Sequence, residues 1–385
     1  MLCGNESYTF GLQEMENYDS GKPIKSSNYT LLSKAEKFFN RALENYNIHS
    51  KFETTSAEIF IKLGNTKYQL GLISLGRGDT NKSDKDFRAA VAYYNRALAI
   101  DNNNVQALVG RGKAIIKFSS ADIIESTSNS IADYSTAIRI NPSFVDAYLE
   151  RAALYLLPYT SEMESNCRRS KDIKYLNSIF CDTHTANKAI VDLSKAIKIS
   201  PANYQAFLDL CKAKYYYGQY EAEYYLLGTR IKRDSLYSAI DSCSHAIEID
   251  SYNPKGYFNR ALISYSLERY REAIEDLSKA IRLRPNYIEA LNLRKEMRET
   301  LGDIIGGTKD TIILITYQIQ ETPEDPSLYF MRAESREKIN DYQGACDDYK
   351  KIALLTRTSS DKQENYKSIV KWLESNKGAW CANQK

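Results

Sequence analysis

Apolar residues recur along this chain at spacings of three and four, in short runs that come two by two with a few polar residues between them. The cleanest pair lies between Pro254 and Pro285. Tyr257, Ala261, Leu262 and Tyr265 share one face of the first run, and Ala273, Ile274, Leu277, Ala280 and Ile281 share one face of the second. Asn253 is placed to cap the first helix, with Pro254 at the position where a missing N–H is no loss. Pro285 stops the second, because its ring clashes with the turn before it. Two helices this short cannot bury their apolar faces on each other alone, so the pattern predicts neighbouring pairs stacked on both sides.

The chain supplies them. Pairs begin near Ala57, Val105, Val145, Tyr204, Ile288 and Pro326, and small residues sit where helices must approach: Gly64 and Ala90, Gly112 and Ser130, Ala152 and Ala189, Cys211 and Ala239, Ala333 and Ala345. Ala35, Phe38, Phe39 and Ala42 mark a lone second helix before the first full pair. Residues 1–30 have few apolar positions and are expected to form a flexible arm. The expected layout is therefore an arm (1–30), an array of about seven pairs with a preceding single helix (31–359), a closing helix (360–376) with Tyr366, Ile369, Val370 and Leu373 on one face, and a tail (377–385).

Counted from Pro254 as position 1, Tyr257, Ala261, Ala273, Leu277, Ala280 and Pro285 stand at the signature places of a helix-turn-helix unit of about 34 residues, and the chain resembles the tetratricopeptide repeat family. The resemblance implies an all-α superhelix, or solenoid. The two small positions are twelve apart in the units at Pro254 and Pro326 but farther apart elsewhere: Gly64 to Ala90, Gly112 to Ser130, Ala152 to Ala189, Cys211 to Ala239, and Lys295 to Thr311. These additions fall between the first and second helix of a unit and predict a thickened rim along one edge, Pro158–Thr185 being the longest. The unit at Ile288 reads as degraded, with a second helix expected over Thr311–Gln320.

Charge follows the same period. Arg111 goes with Asp133, Arg151 with Asp192, Arg260 with Asp276, and Arg332 with Asp348. Where the arginine is replaced by Leu63 or Leu210 the acid is replaced too, by Tyr93 or Ser242, and shared loss predicts contact. A pair copied in successive units is structural rather than catalytic. Arg294, facing Leu314, is the expected exception.

The resemblance further implies that partners bind the concave face made by first helices. Carried over, the groove candidates are Asn65, Tyr68, Lys113, Ile116, Lys212, Tyr215, Tyr216, Phe258, Leu262, Tyr265 and Phe330. The set that some relatives use to clamp a chaperone's terminal carboxylate is not assembled, since Lys255 and Asn259 fill single clamp places within one unit.

Composition narrows the rest. Lys and Arg number 52 against 49 Asp and Glu, a formal charge of +3, too slight to predict nucleic-acid binding. No apolar run is long enough to span a bilayer, and the first residues lack the pattern of a secretory signal, so a cytoplasmic location is expected, with a bacterial envelope or secreted location the alternative if a segment precedes this sequence. Of seven cysteines, Cys211, Cys243 and Cys346 fall on helix-packing positions and are expected as inert core, while Cys167 and Cys181 could pair. No CxxC, HExxH, phosphate loop or nucleophile elbow occurs, and no enzyme activity, metal or cofactor is expected. Arg77, Gly78 and Asp79 form an integrin-type tripeptide, taken as chance, and Asn5, Asn28 and Asn81 begin glycosylation-type triplets. The expected function is a protein-interaction scaffold or adaptor holding a peptide or helix. The alternative is a structural or lipid-anchored envelope protein that self-associates through the rim.

Overall fold

The computed structural model describes residues 2–16, 26–52, 56–117, 123–157, 185–221 and 228–356, and among them helix is the only regular secondary structure. The chain divides into two compact units, residues 1–232 and 233–385. Each is built of helices packed in sequence order.

The first unit holds α1 (Leu2–Glu16), α2 (Ser26–Phe52), α3 (Ala57–Gly76), α4 (Thr80–Ile100), α5 (Val105–Ile115), α6 (Ile123–Ile140), α7 (Val145–Leu156), α8 (Thr185–Ile199) and α9 (Tyr204–Tyr216), the last running on into a π-turn, Tyr217–Glu221. Helix α10 (Gly228–Ile249) carries the unit boundary. The second unit continues with α11 (Pro254–Ser266), α12 (Tyr270–Leu283), α13 (Ile288–Thr300), α14 (Ile304–Glu321), α15 (Pro326–Lys338) and α16 (Tyr342–Thr356). In the first unit α1 packs on α2, α3 on α4, α5 on α6 and α7 on α8; in the second, α11 packs on α12, α13 on α14 and α15 on α16. Each pair then leans on the next through its second helix, as α4 does on α5 and α12 on α13.

Local chemistry sets the helix ends. Asn104, Asn203, Asn253 and Asp325 accept hydrogen bonds from backbone N–H groups two or three residues on, which satisfies donors left open in the first turn. The turn between first and second helices repeats a single left-handed residue, at Gly78, Glu268, Gly302 and Asn340. In each case the next N–H reaches back five residues, for example Asp79 to the Ser74 carbonyl and Arg269 to that of Ser264. Glycine bears this conformation without strain at two of the four turns.

Small positions close the packing. A Cβ added at Gly64 would lie 2.7 Å from the Tyr94 ring, and one at Gly110 would lie 2.5 Å from it, so that ring is held between two first helices. Gly112 makes the same approach to Tyr134. Tyr94, Tyr134 and Phe39 are 1%, 1% and 0% exposed, which places the core of the first unit on the inward faces of second helices.

Four expectations change. Residues 2–16 are a helix packed on α2 rather than a loose arm, and Gly11 lies against Phe39 as Gly64 lies against Tyr94. The supposed single helix thus has its own partner. The added residues between Gly64 and Ala90 are not a rim loop: α3 and α4 have 20 and 21 residues where α11 and α12 have 13 and 14, so fourteen residues are absorbed as two extra turns in each helix around an ordinary tight turn. The unit at Ile288 is not degraded, because α14 starts at Ile304 and Gly307, twelve residues after Lys295, takes the small position. The fourth change, at Arg294, belongs with the charges below. Residues 158–184, the closing helix at 360–376 and the tail lie outside the described residues.

Candidate interaction surface

In the first unit the first helices α3, α5, α7 and α9 touch in series, and the candidate groove side chains there are engaged with their neighbours. Tyr94 donates its hydroxyl to Asn65 Oδ1 at 2.6 Å. The Tyr68 ring packs on Phe87 with centroids 5.6 Å apart, and Lys113 Nζ lies 5.9 Å from the centre of the Tyr68 ring. Lys113 also pairs with Glu150 at 2.8 Å. Burial works against the Lys113 ammonium, but Glu150 outweighs it and its pKa is raised; burial likewise raises the Tyr68 hydroxyl. Ile116 joins the Leu108 cluster. Lys212 pairs with Asp209 one turn away at 3.2 Å, and the rings of Tyr215 and Tyr216 lie 5.6 Å apart.

In the second unit three of the candidates lie on α11. Gly256, Tyr257, Asn259, Ala261, Ile263 and Ser264 are the buried side of α11, and Phe258, Leu262 and Tyr265, spaced four and three apart, are half-buried on another side. Phe258 is backed by Tyr287 at 4.8 Å, and Tyr265 by Tyr270 at 5.7 Å. The Tyr265 hydroxyl donates to Glu296 Oε1 at 3.0 Å. Phe330 stands edge-on to Tyr349 at 6.1 Å.

All four arginine–aspartate pairs read from the sequence are formed. Nε and Nη2 of Arg111, Arg151, Arg260 and Arg332 grip Asp133, Asp192, Asp276 and Asp348 as forks, with closest contacts of 2.6, 2.7, 2.7 and 2.6 Å. Bonding to the aspartate raises the pKa of Arg111, Arg151 and Arg260. The third nitrogen does something the sequence did not announce. Nη1 reaches back to the second helix of the preceding pair: Arg111 to Asn95 at 2.9 Å, Arg151 to Ser135 at 2.9 Å, Arg260 to Ser244 at 3.0 Å and Arg332 to Thr316 at 3.0 Å. One guanidinium therefore joins three helices.

Arg294 follows the same rule. It holds Asp310, not Leu314, and its Nη1 reaches Ser278 at 3.0 Å. Four residues are added inside α14, which has 18 residues against 14 in α12, so the acid of this pair stands four places before Leu314. The signal was present: arginine precedes its aspartate by sixteen residues at Arg260, Arg294 and Arg332 alike. Two further arginines were missed, Arg298 and Arg336, which add a bond to Asp310 at 2.9 Å and to Asp348 at 2.8 Å. In the pair with Leu63 in place of the arginine, Lys67 lies 2.7 Å from Asp86 and so also joins the first helix to the second. Arg77 pairs with Glu36, and Asp79 caps α4, so the Arg–Gly–Asp tripeptide is spent on the fold.

Among the described residues no group of three or more His, Cys, Asp or Glu side chains could hold a metal ion, and no helix is long and apolar enough to cross a membrane.

Comparison with known proteins agrees with this construction. The tetratricopeptide repeat family matches residues 254–287, which are α11 and α12, and residues 73–104, around α4. Tetratricopeptide repeat protein 16 of Homo sapiens is 22% identical over 255 residues, covering 62% of this chain and 28% of its own length. Serine/threonine-protein phosphatase 5 of Rattus norvegicus is 24% identical over 123 residues, covering 32% of this chain and 21% of its own. The chain thus spans about a quarter of the length of these curated relatives. The crystal structure of yeast Tom70 superposes with a TM-score of 0.50 at 14% identity, covering 99% of this chain and 68% of that one, a likeness of fold. With paired helices, small residues at the crossings and two matched repeats, the chain is a tetratricopeptide repeat protein.

Proposed function

We propose that the chain is a non-enzymatic protein-interaction scaffold, and that a peptide or helix from its partner lies along the stripe of Phe258, Leu262 and Tyr265. The observation that carries this is the stripe itself: two aromatic side chains and one aliphatic one, spaced four and three apart along α11, are half-buried and held from behind by Tyr287 and Tyr270. Aromatic groups already fixed by their neighbours bury area on binding while losing little rotamer entropy. The chemistry of the stripe favours protein over nucleic acid, since its exposed faces are apolar and phenolic.

Crosslinking with mass spectrometry in native extract identifies the partner, and calorimetry on the purified pair measures its affinity. Replacing Phe258, Leu262 and Tyr265 together by alanine is expected to weaken binding at least tenfold without lowering the melting temperature by more than a few degrees. Unchanged affinity in that folded variant would reject the stripe as the binding surface.

A further inference from the structure

Five joints between successive pairs share one spacing. The residue that receives Nη1 stands 16 places before its arginine in each: Asn95 and Arg111, Ser135 and Arg151, Ser244 and Arg260, Ser278 and Arg294, Thr316 and Arg332. It holds even after α14, which is lengthened, so it reports the connection between pairs and the seat of the next first helix. Two other positions keep step with the arginine. Three residues after it, Ala114, Leu154, Ile263, Met297 and Ser335 are all buried. Seven residues before it, Asn104, Asn253 and Asp325 cap the helix through their side chains.

Applied once more, the rule starts at Lys350, two residues after Asp348 as Ser278 is two after Asp276. It leads to Tyr366 in the arginine's place, with Ile369 three residues on and Ser359, a residue type suited to capping, seven before. The outward side of α16 is built to receive a neighbour. Ile281 and Leu283 of α12 pack into a core that α13 completes with Ala290, Leu293 and Met297, and Ala353 and Leu355 stand at the same places on α16. An array of this kind needs its last apolar face covered. Two replacements coincide at this joint: a lysine stands where the small polar acceptor was, and a neutral ring where the guanidinium was. A first helix bearing the usual arginine would bring a second positive charge to Lys350, whereas Tyr366 brings none.

We propose that residues 359–373 dock on the outward side of α16 as a lone first helix in this register. The surface thus has its occupant within the chain, and this end of the array is closed to a second copy. The inference owes nothing to the α11 stripe.

Thermal melts of the full-length chain test the docking. Ile369→Asp puts a charge on the face turned to α16 and is expected to lower the melting temperature by several degrees. Ser368→Asp, on the opposite side of the same helical pattern, is expected to leave it unchanged. Equal melts for both variants would overturn the proposal. Register is read separately: Tyr366→Arg is expected to lower the melt, and adding Lys350→Ser to that chain to recover part of the loss. No recovery would show that the two positions do not face each other. Light scattering decides the occupant. A fall in mass from the parent to Ile369→Asp would place the segment on the α16 of a second copy and overturn closure within one chain; no fall is expected.

Discussion

Asp310 has 1% of its side chain exposed and lies between two guanidinium groups, Arg294 and Arg298, whereas Asp276, with 13% exposed, is gripped by Arg260. Removing a buried partner leaves charge without compensation, so Asp310→Ala is expected to cost about 3 kcal/mol or more in urea unfolding, and Asp276→Ala less. The reverse order would show that the second arginine contributes nothing. Gly110 offers a packing test. Its alanine variant must push the Tyr94 ring, and an overfilled core typically costs about 1–3 kcal/mol. Tyr94→Leu in the same chain should recover part of that loss, because the smaller side chain leaves room for the added methyl. These contacts were legible in part. The spacing of Arg and Asp revealed four forks, but the Nη1 bonds to Asn95, Ser135, Ser244 and Thr316 run to residues that look like ordinary solvated polar positions.

At the scale of the element, the chain hid its regularity wherever helices changed length. Gly306 and Gly307 look unlike a helix start, yet Asp303 caps that start by accepting from the Gly306 N–H at 2.9 Å. The four residues added to α14 make about one turn, so side chains on either side of the insertion still face the same way. That is why Asp310 serves the fork of its own pair while Thr316 serves the next. Deleting Thr311–Leu314 would bring Asp310 next to Ile315 and Thr316, the order already present in Asp276, Leu277 and Ser278. This deletion is expected to fold with a melting temperature within a few degrees of the parent. Deletion of Ile313 alone turns all that follows by about 100° and should lower it sharply. Circular dichroism melts of the two variants decide.

A second test at this scale concerns the joint between α2 and the α3–α4 turn, where Glu36 accepts from Arg77 and from Lys82 Nζ at 2.7 Å. Burial opposes its charge, but the bonds from Lys82 and Arg77 outweigh burial and hold its pKa below the ordinary 4.5. A carboxylate with a lowered folded-state pKa contributes stability that is complete above its unfolded value and is lost as pH falls through the folded one. The stability advantage of the parent over Glu36→Gln should thus be full at pH 7 and shrink below about pH 4.5, followed by urea unfolding across that range. A constant difference at all pH values would contradict the ionic joint.

For the molecule as a whole, the paired-helix plan was readable because small and aromatic residues return at a fixed period, and that period reports packing directly. The division into residues 1–232 and 233–385 was not, since the boundary falls inside α10, with no break in composition to mark it. The first pair was missed for a related reason: Ser7 and Gly11 stand on the buried face of α1, and neither reads as apolar in sequence. The contacts of the groove candidates were not readable either, because position in the repeat says which side chains share a face but not which neighbours they touch, such as Glu150 for Lys113 and Glu296 for Tyr265.

The ladder of arginines also has a direction. Each one grips an acid of its own pair and asks of the pair before it only a hydroxyl or amide oxygen, so the means of attachment travels with the later pair. Duplicating such a segment carries its own coupling along, and the receiving end needs no redesign as long as it presents a small polar group. At α16 the equivalent place, two residues after Asp348, is Lys350, which is exposed. A pair grafted after α16 would bring cation against cation, and would need a different kind of joint.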